Sequence, residues 1–136
     1  MSDVHQLEWR EEYSVNVPKL DQDHRLIFEL IKELREAAHR QDADTLVPQV
    51  LKKLNQYALQ HLQREELLLR IRAFPGYAEH KAEHDTYLAK VASLQANLGR
   101  RDIAVRIVNF LTEWWRDHIL SSDQRYSRYF SYPETP

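Results

Sequence analysis

The chain has 136 residues, 43% of them apolar and 29% charged, which fits one globular domain around a single core. A formal charge of −2 gives no reason to expect nucleic acid or an anionic membrane as partner, and no apolar run approaches the roughly 20 residues of a membrane span. Cysteine is absent, which excludes disulfides, zinc–thiolate sites, iron–sulfur clusters and covalent haem attachment.

Residues 1–20 read as an extended N-terminal arm, with Trp9 as the anchor that holds it to the body and Pro18 opposing helix. The first six residues lack the basic-then-apolar profile of a secretory signal, so the cytoplasm is the expected location. Residues 21–132 read as the body. A first helix starts near Asp21 or Asp23, either of which could cap it, and carries Leu26, Ile27, Leu30, Ile31 and Leu34 at helical spacing. It ends between His39 and Asp42. A second runs from about Asp44 to Ile71, with Pro48 acceptable in the first turn and Pro75-Gly76 as the stop. A third runs from about Tyr77 to Leu98, ending at Gly99. Asp102 can cap the fourth, whose buried face is Ile103, Ile107, Phe110, Leu111, Trp114 and Trp115. Past Ser121 the chain turns polar and aromatic. Four long helices with short connections predict an all-α, antiparallel up-down-up-down four-helix bundle.

The chemistry lies in a set of donors spread over all four helices: His24, His61 with Glu65, His80 with His84, and His118 with Asp123. Residues four apart lie one above the other on a helix, so His61 and Glu65 can reach one ion together, and so can His80 and His84. Apolar Ala82, Tyr87 and Leu88 around His84 turn that face inward. His118 and Asp123 are five apart, about 140° of divergence on a straight helix, so a turn between them must tighten or loosen. The run Leu120-Ser121-Ser122 is where it would do so. Each piece alone is weak, since a lone histidine is more often packed than ligating. Together they imply a shared site. His5 and His39, in polar surroundings, read as surface residues.

Five imidazoles and two carboxylates exceed what one ion needs. Two octahedral ions need about twelve positions, of which the histidines fill five, two bridging carboxylates four and a bridging oxide or hydroxide two. One position stays open. Imidazole and carboxylate without thiolate suit iron, manganese, zinc or copper, and zinc would be satisfied by four ligands. The repeated Glu-x-x-His of ferritin-like di-iron proteins is missing.

The pattern Asp21-x-x-His24, His61-x-x-x-Glu65-Glu66, His80-x-x-x-His84 and Trp114-x-x-x-His118-Ile119-x-x-x-Asp123 closely resembles the hemerythrin family, its single-domain bacterial members in particular. The likeness runs from Trp9 to about Tyr126. It implies two iron ions with a bridging oxo or hydroxo group. His80, His84 and His118 would hold one iron, His24 and His61 the other, and Glu65 and Asp123 would bridge them. It also implies reversible dioxygen binding for storage, delivery or scavenging, by a binding protein rather than an enzyme. An oxygen or redox sensor and a peroxide- or nitric-oxide-reducing enzyme are the alternatives the same site would serve. Trp114, Trp115 and Ile119 are the expected apolar wall of the ligand pocket. Trp115 stands where bacterial relatives often carry leucine, and its bulk is expected to narrow access to the open iron. Dioxygen is the expected partner; the sequence points to no protein partner.

Overall fold

Helix α1 (Pro18–Ala38) starts at the proline expected to lie outside it. At the first helical position the missing N–H would have had no partner, and the fixed φ suits a helix, so Pro18 opens α1 instead of opposing it. Neither aspartate caps the helix; the residue ahead of Pro18 is extended Val17. Asp21 instead accepts hydrogen bonds from the Val15 N–H at 2.8 Å and the Ser14 hydroxyl at 2.7 Å, tying the incoming chain to the first turn. The computed structural model describes residues 7–131, and every regular element among them is helical. His5, and the ends of the expected arm and body, lie outside the described residues.

The other long helices are α2 (Ala43–Ile71), α3 (Tyr77–Gln95) and α4 (Ile103–His118). Pro48 is the sixth residue of α2, deeper than the first turn; it and Asp44, whose carbonyl it cannot bond, are both exposed, so water can serve that carbonyl. Helix α3 stops three residues short of Leu98, and Gly99 takes a left-handed φ of 97° in the following turn. Asp102 precedes α4 with φ 64° and makes no side-chain cap, because capping needs extended backbone at that position. Beyond His118 the chain stays helical: a π-helical turn (Ile119–Asp123) leads into α5 (Gln124–Ser131).

Each long helix packs on two others, α1 on α2 and α4, and α3 on α2 and α4, which closes the four-helix bundle. Two apolar clusters fill it. The larger holds Ile31, Leu34, Leu51, Leu54, Leu111 and Trp115; the smaller holds Val15, Leu20, Leu69 and Tyr126. The stripe of α1 is Leu20, His24, Ile27, Ile31 and Leu34, whereas Leu26 is exposed. Ahead of α1, a 3₁₀ turn (Glu11–Tyr13) presents Tyr13 to Phe28, and Trp9 lies 6.0 Å from Tyr13 and 6.1 Å from Phe28. The Arg25 guanidinium covers the Trp9 ring at 4.6 Å, so this indole does anchor the N-terminal segment.

Candidate metal centre

The seven predicted donors sit in the layer between the two apolar clusters. His24 lies one turn from Leu20 of the smaller cluster and one turn from Ile27 of the larger. His61 and Glu65 lie between Ala58 and Leu69 on α2 in the same way. All seven side chains are buried, at 4% exposure or less. Burying that many polar groups in an apolar interior is costly unless something pairs them.

On α3, Tyr87 shares the buried face with His80 and His84, while Ala82 and Leu88 are exposed and play no part in turning it inward. At the end of α4 the π turn does what the five-residue spacing demanded. Its bonds run from i to i+5, so the turn is loosened and His118 and Asp123 come to one side.

The imidazoles aim their Nε2 atoms inward. His24 and His61 Nε2 lie 3.0 Å apart, and His84 and His118 Nε2 lie 3.2 Å apart. Two ring nitrogens this close either share a proton or direct two lone pairs at a common ion. Glu65 separates the groups: Oε1 lies 2.7 Å from His80 Nε2 and 3.0 Å from His84 Nε2, while Oε2 lies 3.5 Å from His61 Nε2. Asp123 is placed likewise, with Oδ1 3.1 Å from His80 and 3.2 Å from His118 and Oδ2 3.4 Å from His24. Two groups of donors result, each compact enough to hold an ion: Glu65, His80, His84 and His118, and His24, His61 and Glu65. Neither Asp123 oxygen has a well-directed hydrogen-bond donor among the described residues, although both are fully buried. A carboxylate in that state fits a cation.

The outward nitrogens explain how the rings are aimed. His61 Nδ1 donates to Asp23 at 3.0 Å, His84 Nδ1 to Glu66 at 2.7 Å and His118 Nδ1 to Glu83 at 2.9 Å. Ionised carboxylates only accept, so each Nδ1 carries a hydrogen, and in the neutral ring Nε2 is then the nitrogen whose lone pair can ligate. Arg64 in turn holds Asp23, and the Ser122 hydroxyl donates to Glu83. Tyr126 donates to Glu65 Oε2 at 2.8 Å. Sequence reasoning missed Asp23, Glu83 and Tyr126 and read Glu66 only as part of a motif. Nothing local marks such partners, because Asp23 and His61 lie 38 positions apart and Glu83 and His118 lie 35 apart.

Without a cation the cluster must hold protons. Burial alone would push His61 and His80 down, but the carboxylates they face outweigh it and hold both up at about 9. For His61 those carboxylates are Asp23 and Glu65, and for His80 they are Asp123 and Glu65. His118 is likewise raised, to about 10, against burial, by Asp123 and Glu83. His24 goes the other way, to about 4, because burial and the neighbouring His61 both disfavour its charge. Burial opposes ionisation of Glu65 and Asp123 too, yet the imidazoles hold both carboxyls well below their usual range. The interior is built to contain positive charge.

The three expected wall residues divide. Trp115 and Ile119 are fully buried; the Trp115 ring lies 5.7 Å from His61 and 6.4 Å from His24. Its indole N–H is already spent on the Tyr87 hydroxyl at 3.1 Å. Trp114 is half-buried and stacks on His118 instead, at 4.3 Å with 15° between planes.

The hemerythrin HHE cation binding domain matches residues 15–130. A bacteriohemerythrin of Clostridium acetobutylicum is 27% identical over 124 residues, spanning 87% of this chain and 96% of that protein. One of Methylococcus capsulatus is 28% identical over 117 residues, covering 85% and 88%. A hemerythrin-like protein of Naegleria gruberi is 27% identical over 118 residues, covering 87% and 88%.

Proposed function

The chain belongs to the hemerythrin family, and from that premise we propose that it binds dioxygen reversibly at a pair of iron ions, for storage, delivery or scavenging. The observation that carries this reading is the convergence of five histidines and Glu65 into two donor groups that share that carboxylate, with Asp123 facing His24, His80 and His118 across the same gap. His80, His84 and His118 would hold one iron, His24 and His61 the other, and Glu65 and Asp123 would bridge. When bound, the pair would supply two one-electron donors, one held by each group.

The chain's own side chains prepare the rest. Asp23, Glu66 and Glu83 fix three imidazoles in the tautomer that ligates and make them better donors. Tyr126 orients Glu65 through Oε2. Trp115 packs against both rings of the two-histidine group and, with buried Ile119, would form the apolar wall that keeps out water and anions. Such a closed apolar wall suits a diatomic ligand better than a bulky substrate, so we propose a binding protein and not an enzyme. No helix among the described residues is long and apolar enough to cross a membrane.

Metal analysis with an absorption spectrum of the reduced protein, before and after air and after degassing, tests this. Two irons per chain and a spectral change that reverses are expected. A chain that takes up a single zinc, or a change that never reverses, overturns the proposal.

A further inference from the structure

Ligand binding makes no use of Trp114, the outermost ring of an aromatic cluster that continues outward from the histidines. Trp114 stacks on His118 at 4.3 Å, Trp115 lies 5.1 Å from Trp114, and Tyr87 touches both indoles at 4.3 and 5.4 Å. Trp115 then reaches His61 and His24. Rings therefore run without a saturated gap from Trp114 to imidazoles of both donor groups. At its outer end Trp114 lines an open depression of about 330 Å³ with Phe110 and His118. Glu83, Glu113 and Asp117 also line it, and no lysine or arginine does. Arg116, outside the lining, pairs with Asp117 at 3.0 Å.

We propose that Trp114 is the port through which a positively charged one-electron donor re-reduces the oxidised metal pair, the stack on His118 being the main path and Trp115 the branch to the other group. The inference rests on the iron reading above. Stacked π-systems couple electronically far better than the same thickness of aliphatic side chain, and here the stacked ring is that of a metal-ligand candidate. Packing alone would explain a buried indole. It does not explain one left half-exposed, face to face with His118, in a depression lined by carboxylates. Those carboxylates draw a cation toward the indole face, which itself attracts positive charge. In each transfer one electron leaves the donor and one ferric ion becomes ferrous. No bond in the chain forms or breaks, and Trp114 ends as it began.

The test is stopped-flow reduction of the iron-loaded, air-oxidised protein by hexaammineruthenium(II), a cation, and by dithionite, an anion. Unaltered protein, Trp114→Leu and Trp114→Phe are compared at low and high salt, with iron per chain and the thermal midpoint measured for each. Trp114→Leu should slow reduction by the ruthenium cation severalfold while iron stays bound, and Trp114→Phe, which keeps a ring, should retain most of the rate. In the unaltered protein, adding salt should remove a gain of roughly tenfold for the cation, the size that complementary charge supplies. Equal rates in all three proteins, or equal losses in the Phe and Leu variants, would overturn the port while leaving the iron reading intact. A chain that holds no iron overturns both.

Discussion

Removing the metal should make stability fall with pH above neutrality, where the metal-bound protein holds it level. In the metal-free chain His61 and His80 are held at about 9 and His118 at about 10, against an ordinary value of 6.5. A group raised on folding stabilises the fold fully below its unfolded value, and that stabilisation disappears as pH climbs through the folded value. The metal-free protein should therefore weaken from about pH 6.5 to about pH 10. At about 1.4 kcal/mol per pH unit, the rise at His118 alone corresponds to about 5 kcal/mol, and the three imidazoles together to less than three times that because they share Glu65 and Asp123. On the acid side, His24 at about 4 and the depressed Glu65 and Asp123 all lose their stabilisation as pH falls, so the metal-free optimum lies near pH 6. With metal bound the imidazoles must be neutral, so stability should instead rise up to about pH 6.5, where the unfolded imidazoles lose their protons, and stay level above it, and iron should be lost toward about pH 5. Urea unfolding followed by circular dichroism from pH 5 to 10, with chelator and with iron, measures both profiles. A metal-free profile flat above pH 6.5, or the same slope in both forms, would refute the reasoning.

Three further outcomes are expected. His61→Ala removes one of two imidazoles from its group and should abolish the dioxygen-dependent spectral change; an unaltered spectrum counts against the assignment. Glu83→Ala should weaken metal affinity by about 10–100-fold with the helical content kept, because His118 loses the partner that fixes its tautomer; isothermal titration with ferrous ion checks this. Trp115→Leu should destabilise the fold by about 2–4 kcal/mol through a cavity and a stranded Tyr87 hydroxyl, read as a fall in the thermal midpoint, and an unchanged midpoint would contradict the packing described.

The bundle and its inward donors were legible because helical periodicity is local arithmetic. His61 with Glu65 and His80 with His84 share a face at four-residue spacing whatever the rest of the chain does. The gap from His118 to Asp123 was legible as a demand on the backbone, and the π turn meets it. What escaped depends on which helices meet and at what height. Asp23 looked like a cap and proved to be the partner of His61, and Glu83 carried no mark at all. Pro18 misled because proline's effect changes sign between a helix interior and its first residue. Ala82 and Leu88 misled because apolar neighbours need not share a face with the residue they flank.

The widened turn after α4 also makes one stretch of this chain unusually forgiving in length. A π turn is a helix carrying one surplus residue, so everything beyond it keeps the phase that a four-residue step would give. Deleting exposed Leu120 or Ser121 should let the backbone close into ordinary helix with Tyr126 still aimed at Glu65. The same excision anywhere from Ile103 to Trp114 would swing His118 and Asp123 about 100° out of line with the other donors.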